Sequence, residues 1–485
     1  MKILIASSEA VPYVKTGGLA DVAGALFKEF RKQKQDTILV LPLYSGIDTS
    51  RMRLADVKVS LQIPVGDRMV SGRVLSDRDA VYFIKCDEFF DRSEPYGSSE
   101  GDFSDNSSRF AFFSKAVLDM CKALPFKPDI IHCNDWQTGL IPFYLRTLHR
   151  EDVFFAGTAT LLTIHNLGYQ GLFPASHLPL TNLGWEHFTP DGIEFFGEVN
   201  FLKAGLIAAD VLTTVSETYS REILLPEFGF GLDGVLRKRA VDLYGIVNGI
   251  DYAEWDPAGD RHLPATYHSG DLSGKSICKQ KIMEALFPRA AAARSSKVPL
   301  IGAVTRFSQQ KGMDLVLEAI PDILSFGVRI AILGKGDELY QRRFRDISER
   351  YSNSISVTIG YDESLAHRIY AGSDFFLMPS KYEPCGLGQL IALRYGAIPI
   401  VRRTGGLADT VNDYDPLTGG GTGFHFFDYT ASCMTDALKR AFCVYTDPQK
   451  MHTVIESGMK MDFSWKRSAR QYLALYRSAV RTKKG

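Results

Sequence analysis

Short apolar runs of strand length alternate with stretches of helical spacing along almost the whole chain. That alternation requires a parallel sheet, because parallel strands need a crossover between them and a helix supplies it. The strand candidates of the first half are residues 2–6, 37–42, 129–132, 160–165 and 211–215. Those of the second half are residues 300–305, 330–333, 355–359, 375–379 and 397–401. A length of 485 residues asks for two or more domains. Residues 256–275, rich in Pro, Gly, Asp and His, read as the linker between them. The expected class is α/β, with two Rossmann-like domains. The closing segment, residues 464–481, has apolar side chains at helical spacing and either finishes the second domain or returns to the first.

The unusual polar clusters fall just after the strand candidates. They start at Lys15, Asn134, His165, Arg306, Gly334, Gly360, Glu383 and Arg403. Open α/β sheets bind ligands outside the carboxyl ends of their strands. Two sets of such loops imply a ligand held between two domains that face a deep cleft. The string Thr-Gly-Gly-Leu-Ala-Asp occurs twice among them, at residues 16–21 and 404–409. Paired glycines before a helix either let backbone N–H groups approach an anion or make only a tight connection.

Other classes are excluded by composition. Lys plus Arg and Asp plus Glu both number 56, so no net charge draws the chain to nucleic acid or an anionic membrane. No apolar run is long enough to span a bilayer. The N-terminal apolar stretch is interrupted by Ser7, Ser8 and Glu9, which argues for a first strand rather than a signal peptide and for a cytoplasmic protein. The seven cysteines have no metal-ligand spacing and are expected to be reduced; no metal and no cofactor is expected.

Arg306 and Lys311, five residues apart in a loop after a strand, suit a diphosphate; alternatively they are solvated surface cations. Glu383, before Pro384-Cys385-Gly386-Leu387-Gly388 and a helical run, is either an acceptor for sugar hydroxyls or a charge at a helix start. His165, with Asn166, Tyr169 and Gln170, is a sugar-hydroxyl reader or a satisfied structural histidine. Trp136 beside Asp135 reads as core. The segment Gly334-Lys335-Gly336-Asp337 lacks the third glycine of a dinucleotide fingerprint.

With these residues in view, the chain resembles the bacterial glycogen synthase and plant starch synthase family. The resemblance runs nearly end to end. It rests on Lys15 to Val22, Asn134-Asp135-Trp136, His165-Asn166 with Tyr169 to Gly171, Phe201 to Gly205, Val247 to Asp251, Arg306 with Lys311-Gly312, Glu383 to Leu387, Arg403 to Asp409 and Asp462 to Trp465. It implies the glycosyltransferase-B fold, with an N-terminal domain at residues 1–250, rejoined by the helix 464–485, and a C-terminal donor domain at 251–463. It also implies α-1,4 glucosyl transfer, with retention, from ADP-glucose to the non-reducing end of glycogen or another glucan.

Site roles follow from the same resemblance. Lys15 and Gly18 meet the donor's phosphates and sugar, and Asp21, Asp135, His165 and Asn166 line the glucose side. Arg306 and Lys311 clamp the diphosphate, Tyr361 stacks on the base, and Thr404, Gly405 and Gly406 touch the distal phosphate. Glu383 reads the glucose 3-OH and 4-OH with the backbone of Cys385, Gly386 and Leu387. The resemblance implies a front-face route, in which a phosphate oxygen of the leaving group takes the acceptor's proton. Three positions depart from the family pattern: Gly388 stands where many members have Thr, Cys133-Asn134 follows His132 in place of a His-x-His, and Ile391 replaces the second Glu of a wider transferase set. The donor base is left open between adenine and uracil. Two alternatives remain: a UDP-glucose transferase on the same fold, or a glycan-binding protein without activity.

Overall fold

Ile3 to Ala6 are four consecutive buried side chains in the strand Lys2–Ala6. An unbroken apolar run of this kind marks a strand covered on both faces. Here it is the centre of a nine-stranded sheet in the computed structural model, which describes residues 1–77, 80–98, 101–288 and 297–484. The chain divides into two compact units, Met1–Ile246 with Trp465–Gly485, and Val247–Ser464.

In the first unit the sheet order is Leu243–Gly245, Val211–Thr214, Ala159–Ile164, Ile130–Asn134, Lys2–Ala6, Asp36–Pro42, Val81–Lys85, Arg68–Asp77 and Ala55–Val65. Pairings are parallel as far as Val81–Lys85. The last two strands add an antiparallel meander at the edge. Its strand Ala55–Val65 alternates exposed and buried positions towards its end, as a half-covered strand does.

The second unit holds an all-parallel sheet in the order Ile355–Ile359, Arg329–Gly334, Leu300–Val304, Phe375–Met378, Ile398–Arg402 and Phe424–Phe426. Numbered along the chain, these strands run 3-2-1-4-5-6, the doubly wound Rossmann order. The parallel strands of the first unit begin in the same order, with one more beyond. The order reverses between Lys2–Ala6 and Ile130–Asn134 in one sheet, and between Leu300–Val304 and Phe375–Met378 in the other. Such switch points separate neighbouring loops and leave a crevice for a ligand.

Two features differ from expectation. The turn-rich segment that reads as a linker is built into the second unit: Asp260 is buried, and the Tyr267 hydroxyl donates to the Tyr395 carbonyl at 2.8 Å. Residues 95–108 are polar and rich in Gly and Ser, a composition that reads as a flexible loop, yet they carry the short strands Gly97–Ser98 and Gly101–Asp102 and begin the helix Asn106–Ala123. The closing helix, Trp465–Lys484, buries Trp465, Tyr472 and Tyr476 in the first unit. There the Tyr476 hydroxyl lies 2.6 Å from Nδ1 of buried His132. Lys484 completes the attachment with an ion pair to Asp129 at 2.8 Å.

Candidate functional site

In the first unit, the loops after Lys2–Ala6 and Ile130–Asn134 carry most of the sequence-derived candidates. The Lys15 ammonium pairs with Asp21 at 2.8 Å. Burial raises the Asp21 carboxyl, and Lys15 opposes that rise. The helix Gly18–Lys32 begins here with Gly17 as its N-cap. A Cβ added at Gly17 or Gly18 would meet no protein atom within 4 Å. These glycines therefore clear the space in front of the helix start, and packing does not demand them.

The loop is anchored by a residue that motif reading passed over. Glu9 is 3% exposed and accepts from the Thr16 N–H at 2.5 Å, the Thr16 hydroxyl at 2.9 Å and the Gly17 N–H at 3.3 Å. Tyr96 adds a further hydrogen bond at 3.1 Å. Burial raises the Glu9 carboxyl despite these donors. Its signal was visible, since an acid directly after an apolar strand is unusual, but it was read only as the end of that strand.

Asp135 is buried and has a positive φ of 53°. Its Oδ1 accepts from the His165 N–H at 2.7 Å. Burial raises its carboxyl to about 7, helped by the nearby Glu9 charge and opposed by the N–H groups of His165 and Asn166. The His165 imidazole is lowered to about 3 by burial and is neutral at physiological pH. Its Nε2 lies 2.9 Å from Oδ1 of Asn134, whose own amide donates to the Ala6 carbonyl at 3.0 Å. An amide oxygen only accepts, so Nε2 carries the proton and Nδ1 is left as an acceptor. Asn166 accepts from the Gly168 N–H at 3.0 Å and shapes the turn behind it. Trp136 packs on Phe110 and Phe173 as core.

In the second unit the switch-point loops are joined directly. Lys311 donates to Glu383 at 2.5 Å, with side chains only 17% and 6% exposed. Ser380 donates to the same carboxylate oxygen at 2.9 Å. Sequence reading gave Lys311 and Glu383 separate tasks, and here they form one buried ion pair. Arg306 is exposed and meets Gln310 at 3.3 Å. Tyr361 is 89% exposed just beyond the edge strand Ile355–Ile359.

Glycines make the close approaches in this unit. Gly312 has φ of 73°, and a Cβ there would lie 2.1 Å from the Pro379 carbonyl, so the Lys311 loop touches the Glu383 loop only because residue 312 lacks a side chain. At Gly406 a Cβ would lie 2.2 Å from the Cys385 carbonyl. Thr404, Gly405 and Gly406 are buried, and the Gly406 N–H donates to the Glu383 carbonyl at 3.1 Å. The second Thr-Gly-Gly copy therefore braces the Glu383-Pro384-Cys385 turn. Within that turn Cys385 is buried, Gly386 has φ of 77°, and the helix Gly388–Arg394 starts just after Leu387. Gln389, also missed in the sequence, ties the turn with bonds to the Cys385 and Gly386 carbonyls at 2.9 and 3.0 Å.

Residues 2–238 match the family described as starch synthase catalytic domain, and residues 288–461 match glycosyl transferases group 1. The chain is 46% identical to a glycogen synthase of Syntrophotalea carbinolica over 99% of both chains. It is 45% identical to a glycogen synthase of Thermodesulfovibrio yellowstonii, covering 99% of this chain and 98% of that one. The catalytic domain of starch synthase IV from Arabidopsis thaliana, in a structure bound to ADP and acarbose, superimposes with a TM-score of 0.90 at 34% identity over 99% of each chain.

Proposed function

The chain belongs to the glycogen and starch synthase family of retaining glucosyltransferases, which transfer glucose from a nucleotide sugar to a glucan, and from that membership we propose ADP-glucose as its donor. The ADP in the starch synthase IV structure supports the adenine base, since that protein matches this chain along nearly its whole length. We place the reaction in the cytoplasm and the acceptor as the non-reducing end of an α-1,4-glucan.

The observation that carries the site assignment is the buried Lys311–Glu383 pair at the switch point of the second sheet. Breaking the bond between glucose C1 and the phosphate oxygen leaves new negative charge on the diphosphate. Arg306 and Lys311 stabilise that charge as it grows, which lowers the barrier rather than only tightening the ground state. Glu383 accepts hydrogen bonds from the sugar hydroxyls while it holds Lys311 in line. The same phosphate oxygen takes the proton of the acceptor hydroxyl as its bond to C1 forms, on the face the leaving group vacates, so configuration is retained.

In the first unit, neutral His165 offers Nδ1 to a glucose hydroxyl, and its backbone carbonyl supports the electron-poor C1. Asp135 fixes the His165 backbone, and Asn166 completes the glucose side with Asp21. Lys15 and the helix start at Gly18, with the space its glycines clear, serve the donor's phosphate and sugar oxygens. Tyr361 stacks on the base. The backbone of Cys385, Gly386 and Leu387 meets the sugar, held by Gln389 from behind. Thr404, Gly405 and Gly406 act on the donor through the turn they brace.

The test is glucosyl transfer into glycogen, with ADP-glucose and UDP-glucose compared side by side. The expected result is a clear preference for ADP-glucose; equal rates or a preference for UDP-glucose would overturn the donor assignment.

A further inference from the structure

Glu363 and His367 stand one turn apart on the helix Glu363–Gly372, so both side chains leave the same face. The turn segment after Trp255 brings His262 to that face. One nitrogen from each histidine and a carboxylate oxygen of Glu363 all lie within 4.8 Å of one another. None of the three belongs to the glucosyl-transfer machinery.

His367 is 1% exposed, and its Nδ1 lies 2.7 Å from Oδ2 of Asp260. That oxygen also accepts from the Tyr395 hydroxyl at 2.6 Å. A carboxylate only accepts, so Nδ1 bears the hydrogen and Nε2 presents a bare lone pair. Nε2 is buried and has no hydrogen-bond partner among the described residues. The Trp255 ring stacks on the imidazole at 4.0 Å with planes 9° apart, which holds its orientation. A fixed imidazole with a carboxylate on one nitrogen and a bare lone pair on the other is the arrangement metal ions select.

We propose that His262, Glu363 and His367 bind a divalent cation of the zinc class, with Asp260 orienting His367 from behind. Two imidazoles and one carboxylate form a donor set suited to zinc, water completing the tetrahedron. Ligand atoms around zinc stand about 3.3 Å apart, given metal–ligand bonds of about 2.0 Å. His262 is half-buried and Glu363 exposed, so both side chains are able to close in from their present spacing on the fixed Nε2. The bound ion fastens the segment after Trp255 to the start of the helix, two residues beyond Tyr361. Cysteine and histidine spacing gave no hint of it, because the nearest ligand to the Glu363–His367 pair lies 101 residues upstream.

The test uses the full chain, stripped with chelator and titrated with cobalt(II) alone and then with zinc. Trp255 is the only tryptophan of residues 247–464, so an ion beside His367 quenches its share of the fluorescence. The expected result is one cobalt per chain, with that quenching, a four- or five-coordinate absorption spectrum and displacement by zinc. His262→Leu and Glu363→Gln should each weaken binding at least tenfold with unchanged far-UV circular dichroism. Asp260→Asn should weaken it about 10- to 100-fold, as removal of an outer-shell partner does. No cobalt binding, a sulfur-to-cobalt band placing the ion on a cysteine, or equal affinity in His262→Leu and Glu363→Gln would each overturn the proposal.

Discussion

Replacing Glu383 by Gln keeps the shape of the side chain and removes its charge. The native carboxylate accepts from Lys311 at 2.5 Å and from Ser380 at 2.9 Å, in surroundings that leave the two ionic side chains 17% and 6% exposed. Removing one member of a buried pair costs about 3–5 kcal/mol, because the other charge is stranded. The Gln oxygen still accepts from both donors, so the loss should fall near the lower end. Lys311→Met strands the carboxylate instead and should cost at least as much. The double variant should lose less than the sum of the singles by about 2 kcal/mol, the coupling of two groups in contact.

Function separates the two partners. Lys311→Met should weaken ADP binding by about 1.5–3 kcal/mol, the worth of a charged hydrogen bond, or roughly 10- to 150-fold. Glu383→Gln should bind ADP at least as well as the parent, since a neutral amide competes with phosphate for the ammonium less strongly than a carboxylate does. Both should lower kcat by about 100-fold or more, the scale on which one transition-state donor acts. Urea unfolding with and without ADP, calorimetric titration of ADP and initial rates measure all three quantities. Additive stability losses in the double variant would refute the coupling. Native ADP affinity in Lys311→Met would remove Lys311 from the diphosphate.

The two Thr-Gly-Gly copies should respond oppositely to alanine. Gly18→Ala adds a methyl where no protein atom lies within 4 Å, so thermal stability should hold while kcat/KM for the donor falls; Gly406→Ala puts its Cβ 2.2 Å from the Cys385 carbonyl and should lower the melting temperature itself. Tyr361→Ala should raise the KM for the donor by the equivalent of about 1–3 kcal/mol of base stacking, with kcat nearly unchanged. Burial, with a smaller contribution from His165, lowers His132 to about 3. The unfolded chain therefore binds more protons than the native one between pH 6.5 and 3, and stability falls as the solution is acidified through that window. The slope should remove roughly 2 kcal/mol between pH 6.5 and 5, and His132→Asn should flatten it in denaturant titrations across that range.

The central parallel strands and the loops after them were legible because each is a short buried apolar run with its polar cluster at the carboxyl end, whereas Leu243–Gly245 and Phe424–Phe426, three residues each, were too short to stand out. The antiparallel edge strands Ala55–Val65 and Arg68–Asp77 were missed because exposed and buried side chains alternate along them, and the apolar run Val81–Lys85 beside them was missed as well. The candidate residues could be named, but their pairings could not. Lys311 and Glu383 are 72 residues apart, and only the sheet order makes their loops neighbours. The same limit hid the brace between Gly406 and Glu383, since identical hexapeptides face empty space in one loop and a carbonyl in the other. Glu9 and Gln389 hold backbone in place from positions that form no motif.

The hydrogen bond between Tyr476 and His132 spans 344 residues, and the whole of Val247–Ser464 is synthesised between them. At roughly 5–20 residues per second, His132 waits on the order of 20–70 s on the ribosome before its partner is made. The part of the chain that emerges first is thus the last to be completed, and its sheet stays partly uncovered until the final helix is released. A ribosome that has not yet released Trp465–Lys484 displays a first unit whose sheet still lacks this helix, and so leaves apolar surface for a chaperone to hold.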